Sequence, residues 1–132
     1  MRILLLHSDY IEYQAIKKEI DIAENSDTNL KRYDDIVVLF TCLESQDNEN
    51  TIKNSLSDIK SSLDNLNCNR VVVYPYSHLS DDLANASKAI SLLNQFKTSL
   101  SDEGNDVQSS PFGWNKSFTI RVKGHPLAEQ LK

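Results

Sequence analysis

Two unbroken apolar runs, Ile36–Phe40 and Val71–Tyr74, enclose a segment whose apolar residues recur at the helical period. Ile52, Leu56, Ile59, Leu63 and Leu66 are spaced four, three, four, three, which places them on one face of a helix. Short continuous apolar runs bounded by turn residues read as buried strands. A helix whose stripe must be covered, set between two such strands, calls for an α/β domain with helices against a sheet. The rest of the chain agrees. Ile3–Leu6 reads as a first strand, with His7-Ser8-Asp9 just past its end. Residues from about Ile11 to Ile20 read as a helix, with Asp9 as its cap and Glu12 in water, and Asn25–Asn29 is a polar turn. Ser80 is a suitable N-cap for a helix burying Leu83, Ala86, Ile90, Leu93, Phe96 and Leu100, with Asp81 and Asp82 in its first turn and Gly104 as its stop. A short strand near Val107 and another over Phe118–Val122 complete the set.

Length and charge narrow the class. With 132 residues and 39% hydrophobic content, residues 1–132 are expected to form one domain. Cys42 and Cys68 fit no zinc-ribbon or CxxC spacing, and Cys42 lies in an apolar run, so a reducing, cytoplasmic setting is expected. The apolar run after Arg2 is too short for a signal peptide, and no segment reads as a membrane span. The chain ends soon after its last motif, as a free-standing protein or a module of a longer one would. A net charge of −5 without a basic stripe argues against an extended grip on duplex nucleic acid, whose affinity comes from neutralised phosphates. Contact with a short single-stranded end is compatible with it.

Three polar and aromatic clusters stand at expected strand ends: His7–Tyr10, Tyr74-Pro75-Tyr76-Ser77-His78, and Pro111-Phe112-Gly113 onward to Glu129. Sites in α/β folds gather where strands give way to loops. His7, His78, Lys116, His125 and Glu129 are therefore grouped as pocket candidates. Taken singly, each has a structural reading: a histidine capping a turn, a solvated lysine, a carboxylate in the first turn of a helix. The chain carries no GxSxG elbow and no Ser–His–Asp set, which disfavours covalent acyl transfer. His7, His78 and His125 with nearby Asp form a zinc alternative, but no HExxH or HxxxH pattern supports it and no metal is expected.

The segments Ile3–Tyr13, Val73-Tyr-Pro-Tyr-Ser-His-Leu-Ser80 and Pro111-Phe-Gly…Lys116…Lys123-Gly-His-Pro-Leu-Ala-Glu129 together resemble the N-terminal editing domain of archaeal threonyl-tRNA synthetases. The resemblance runs in order through essentially the whole chain. It implies a D-aminoacyl-tRNA deacylase-like α/β fold, a homodimer, and hydrolysis of serine wrongly attached to the threonine tRNA. Such a reaction has a clear physical need: serine lacks only a methyl group, worth roughly 1–3 kcal/mol of discrimination. The resemblance further implies that the 2′-hydroxyl of the tRNA helps activate water, that no cofactor is required, and that the partners are the 3′ end of the aminoacylated tRNA and the synthetase body, in cis or in trans.

By the same resemblance, Lys116 approaches the aminoacyl group and ribose, Glu129 orients Lys116 or the water network, and His78 helps bind the terminal nucleotide. Leu43, Pro75, Tyr76, Ser77 and Phe112 line the seryl pocket and adenine site. Ser77 stands where the family carries a small residue, and Asn115 where it carries an aromatic next to the lysine, so both bear on substrate tolerance. Two other functions remain open. A D-aminoacyl-tRNA deacylase shares the fold, though its Gly-Pro and Ser-Gln-Phe-Thr signatures are missing here. A non-catalytic docking or dimerisation module is the other, against which the Lys116–Glu129 pair argues.

Overall fold

The computed structural model describes all 132 residues. Its elements are β1 (Arg2–Lys18), β2 (Lys31–Cys42), α1 (Glu49–Leu66), β3 (Arg70–Pro75), a 3₁₀ turn (Ser77–Leu79), α2 (Ala86–Asp102), β4 (Asp106–Ser109), β5 (Trp114–Val122) and β6 (Glu129–Leu131). The strands form one mixed sheet in the order β4-β3-β2-β1-β5, with β6 also pairing β1. β3 runs parallel to both β2 and β4, whereas β1 is antiparallel to β2, β5 and β6. The larger core lies on one face of the sheet. There Ile3, Leu5, Val37, Leu39, Val71 and Val73 meet the stripe of α1 and Leu92, Leu93, Phe96 and Leu100 of α2. The other face gathers Ile11, Tyr13, Ile36, Val38, Phe40, Val72 and Tyr74, without a helical residue among them.

The segment expected to be a helix near Ile11–Ile20 is instead the second half of β1. Ile11, Tyr13 and Ala15 are buried while Glu12 and Gln14 are half-exposed, the period of two that a strand requires. Strands bond it on both sides, with Ile11 opposite Tyr33 of β2 and Ile120 of β5. Those pairings outweigh a helical preference spread over about ten residues, a length marginal for a helix alone. The pairing with β5 is irregular between Ser8 and Tyr10. Across it the inward side chains change face: Ile3 and Leu5 lie under the helices, Ile11 and Tyr13 on the opposite side. Such a bulge breaks one long alternation into two halves. His7–Asp9 accordingly sit within the strand, not past its end. Asp9 caps no helix but accepts from Lys123 Nζ at 2.8 Å and Arg121 Nε at 3.1 Å. Glu12 accepts from Arg32 Nη1 at 2.7 Å.

Ile52, Leu56, Ile59 and Leu63 of the α1 stripe are buried and Leu66 at its end partly so, and Asn48 forms a reciprocal cap with Thr51. α2 starts six residues later than Ser80. Its cap is Asn85, whose side chain accepts from Lys88 N–H at 2.9 Å. Ser80 has another partner, donating to Glu44 Oε2 at 2.7 Å, and Asp82 accepts from Ser45 Oγ at 2.7 Å. Leu83, now outside the helix, is 48% exposed. The residues between β3 and α2 thus form a strap tied to the turn after β2. Gly104, at φ +93, follows the end of α2 as expected.

Candidate active site

Because β2 and β3 are parallel, from Val37 opposite Val71 to Thr41 opposite Pro75, their carboxyl ends open at the same edge. A cavity of about 460 Å³ lies there. Thr41, Leu43, Tyr74 and Pro75 come from the two strand ends, Ser77 and His78 from the 3₁₀ turn, and Ala86, Ala89 and Leu93 from the first half of α2. The facing wall is the Phe112-Gly113-Trp114 loop with Asn115, Lys116 and Phe118 of β5. Tyr76 N–H donates to Thr41 O at 2.8 Å, which carries the ladder past the end of β3 and sets the 3₁₀ turn at the cavity mouth. His78 packs edge-on against the Tyr76 ring, with centroids 5.1 Å apart.

Lys116 is the one lysine lining this cavity. Its ammonium donates to Pro111 O at 2.7 Å and Ser110 Oγ at 3.2 Å, and lies 4.5 Å from the centre of the Tyr74 ring. Ser110 is fully buried and its N–H donates to Val73 O at 3.1 Å, so this acceptor is fixed to the sheet. Burial pushes the Lys116 amine down to about 8, against the opposing pull of the Glu24 and then the Glu19 carboxylates. The result is a cation that holds its proton at neutral pH in a largely apolar enclosure, where its field is weakly screened.

Gly113 holds the facing wall close. At φ +83 it adopts a conformation that favours glycine, and an added Cβ would stand 2.8 Å from Ile20 Cγ1 and 2.9 Å from Ala23 Cβ. Glu19 N–H donates to Gly113 O at 2.8 Å, so the turn after β1 is laid directly on the loop.

The structure brings Lys116, His78, Leu43, Pro75, Tyr76, Ser77, Phe112 and Asn115 to one cavity. It does not bring His7, His125 or Glu129 there. His7 Nδ1 and His125 Nε2 are 2.9 Å apart, tying the loop after β5 to the middle of β1. Burial, and then His125, hold the His7 imidazole below its usual range. His78 lies apart from them in the cavity, and no three His, Cys, Asp or Glu side chains are arranged to hold a metal. Glu129 is exposed and pairs with Leu6 in β6, whereas Lys116 pairs with Ala15. Those partners are nine residues apart on β1, about 30 Å of strand. Glu129 therefore does not orient Lys116 within one copy of the chain.

Three residues that hold this wall are not marked as such by the sequence: Ser110, Tyr74 as a ring beneath the ammonium, and Glu24. Ser110 directly precedes the Pro111-Phe112-Gly113 motif, a position that pointed toward it. Glu24 carries no local signal, because its partners lie 88 and 90 positions away.

The model of the archaea-specific editing domain of threonyl-tRNA synthetase matches residues 1–132. A threonine–tRNA ligase of Nitrosopumilus maritimus is 47% identical over 133 residues, covering 100% of this chain and 21% of the relative. A threonine–tRNA ligase of Methanoregula boonei is 44% identical over 135 residues, covering 100% and 22%. The chain thus spans about a fifth of the length of these relatives. Among solved structures, the c-Myc DNA Unwinding Element Binding Protein superposes with a TM-score of 0.76 at 8% identity, covering 100% of this chain and 97% of that one. The architecture is the D-aminoacyl-tRNA deacylase-like α/β fold that the motifs imply.

Proposed function

We propose, since the chain belongs to the archaea-specific editing domains of threonyl-tRNA synthetase, that residues 1–132 form a proofreading domain hydrolysing L-serine wrongly attached to the threonine tRNA. The observation that carries this reading is the Lys116 ammonium, held by Pro111 O and Ser110 Oγ at the wall of a 460 Å³ cavity. A fixed cation in such an enclosure favours the negative charge that develops on an ester carbonyl under attack. In the reaction, water adds to the carbonyl carbon and the bond to the ribose oxygen breaks. The water's proton passes by way of the neighbouring 2′-hydroxyl to the leaving oxygen. Free serine and an intact tRNA end result, and no cofactor enters the balance.

Lys116 binds and polarises the ester in this scheme, and His78 at the mouth meets the terminal ribose or nucleotide. Leu43, Pro75, Tyr76, Ser77 and Phe112 shape the seryl and adenine sites, and Asn115 tunes the pocket beside Lys116. The partners are the 3′ end of the charged tRNA and the synthetase body, in the cytoplasm where charging takes place. No helix is long and apolar enough to cross a membrane. Glu129 serves the water network from a second copy of the chain, because within one copy it stands on another part of β1.

The test is deacylation of seryl-tRNA, threonyl-tRNA and a D-aminoacyl-tRNA by the purified chain, alone and with a threonyl-tRNA synthetase body added. Rapid loss of serine with threonine spared is expected. Preferred hydrolysis of the D-ester would instead make the domain a D-aminoacyl-tRNA deacylase. Binding without hydrolysis under either condition would make it a docking module.

A further inference from the structure

Glu24 lies in the turn between β1 and β2, yet nearly every polar atom it has is spent on the cavity wall. Its N–H donates to Phe112 O at 3.0 Å, and its Oε1 accepts from Phe112 N–H at 2.9 Å. Its carbonyl accepts from Trp114 Nε1 at 2.7 Å. Its Oε2 lies 3.7 Å from Lys97 Nζ of α2. A single residue thus clasps both ends of the Phe112–Trp114 loop and links it to a helix. The same loop begins with Pro111, whose carbonyl receives the Lys116 ammonium at 2.7 Å. Resting on the reading that Lys116 serves ester hydrolysis, we propose that Glu24 is a positioning residue, which fixes the wall that aims the Lys116 ammonium and supplies the fixed negative charge behind it.

Two separable contributions follow from the geometry. The backbone bonds and the Oε1 acceptor set where the Pro111 carbonyl stands, and hence where the ammonium points. The carboxylate charge acts through space. Among the groups around Lys116, Glu24 exerts the largest charge effect and Glu19 of the same turn the next, both favouring the protonated amine. The remaining neighbours are the Tyr74 ring beneath the ammonium, His78 across the cavity, and Lys97, which neutralises part of the Glu24 charge. Glu24→Gln keeps an oxygen for the Phe112 N–H and removes the charge. Glu24→Ala removes both.

The experiment measures seryl-tRNA hydrolysis against pH for the wild type and both variants. In parallel, the Lys116 ammonium is titrated by NMR in the ¹³C-methylated chain without tRNA, its signal assigned by its loss in Lys116→Arg. Glu24→Gln is expected to move both the Lys116 titration and the high-pH limb of the rate to lower pH. Glu24→Ala is expected to do the same and also to lower kcat by about tenfold to a hundredfold, the scale of a small misplacement of a reacting group. An unmoved Lys116 titration in Glu24→Gln would overturn the proposal. So would a Glu24→Ala chain that melts earlier but keeps its kcat and its pH limb. If the wild type hydrolyses no ester while the titration still moves, the editing reading fails and the clasp stands. If hydrolysis is robust and the titration is unmoved, the reverse holds.

Discussion

Lys116 shows what burying one charged side chain in a cavity wall costs the fold. Its amine titrates near 8 in the fold and at 10.5 as an ordinary lysine. Between those values the folded chain binds fewer protons than the unfolded one, so this group makes stability rise with pH across that window, and its penalty is complete below 8. Lys116→Met is therefore expected to stabilise the fold at pH 7 by about 1–2 kcal/mol, less than the full value of the shift because two hydrogen bonds are lost. It should also cut seryl-tRNA turnover by at least about tenfold. Melting curves should show the stability gap closing as pH rises toward 10.5. The wild-type rate, corrected for hydroxide-driven hydrolysis, should decline above about pH 8, where the ammonium is lost. Its motif singles Lys116 out, and the structure places it on the wall of the cavity. That Ser110 and Tyr74 hold it was not legible in the sequence, because burial and ring stacking are made by segments that meet only in the fold.

Among the elements, the strap from Ser80 to Ala84 replaces the first turns of the helix anticipated there, and it forms part of the cavity lining through Leu83 and Ala84. It is tied down by Glu44, whose carboxylate is held down at about 2 by the Ser80 hydroxyl first and the N-terminal ammonium next. Beside it, Ala84 N–H donates to Leu43 O at 3.0 Å. A depressed carboxylate contributes stability that is present above its ordinary value of 4.5 and lost as pH falls toward 2. Hydrogen exchange should therefore show the Ala84 amide losing protection between about pH 4.5 and 2. In Glu44→Gln it should be weakly protected throughout. A wild-type amide whose protection is flat across that range would contradict this account. Ser80 and Asp82 look like a helix start from sequence because their residue types suit one; Glu44 and Ser45, 36 and 37 positions away, claim them instead.

On the scale of the whole molecule, β1 is the organising strand, since its free edge is divided between β6 near Leu4–Leu6 and β5 from Ser8 onward. This division places Lys116 and Glu129 on different stretches of one strand. A site needing both residues then needs two chains. Lys116→Met and Glu129→Ala chains, each slow alone, should recover about a quarter of the wild-type rate per site when mixed and allowed to exchange subunits at random, because half of the dimers are then mixed and each mixed dimer carries one intact site. Failure to recover while native mass spectrometry shows mixed dimers would remove Glu129 from the site.

The amino-acid sequence by itself determined the α/β class, the α1 stripe, the central strands β2 and β3, and the motifs that place the chain in its family. Each of these is a local or repeating pattern whose spacing carries its own meaning. Only the tertiary structure decided that residues 11–18 extend a strand, that Glu24 clasps the cavity wall, and that His7, His125 and Glu129 stand away from Lys116. Those outcomes rest on pairings between residues far apart in the chain, and on a bulge that turns one strand's alternation from one face of the sheet to the other. Such pairings stabilise only when the sheet is assembled, so no window of sequence displays them.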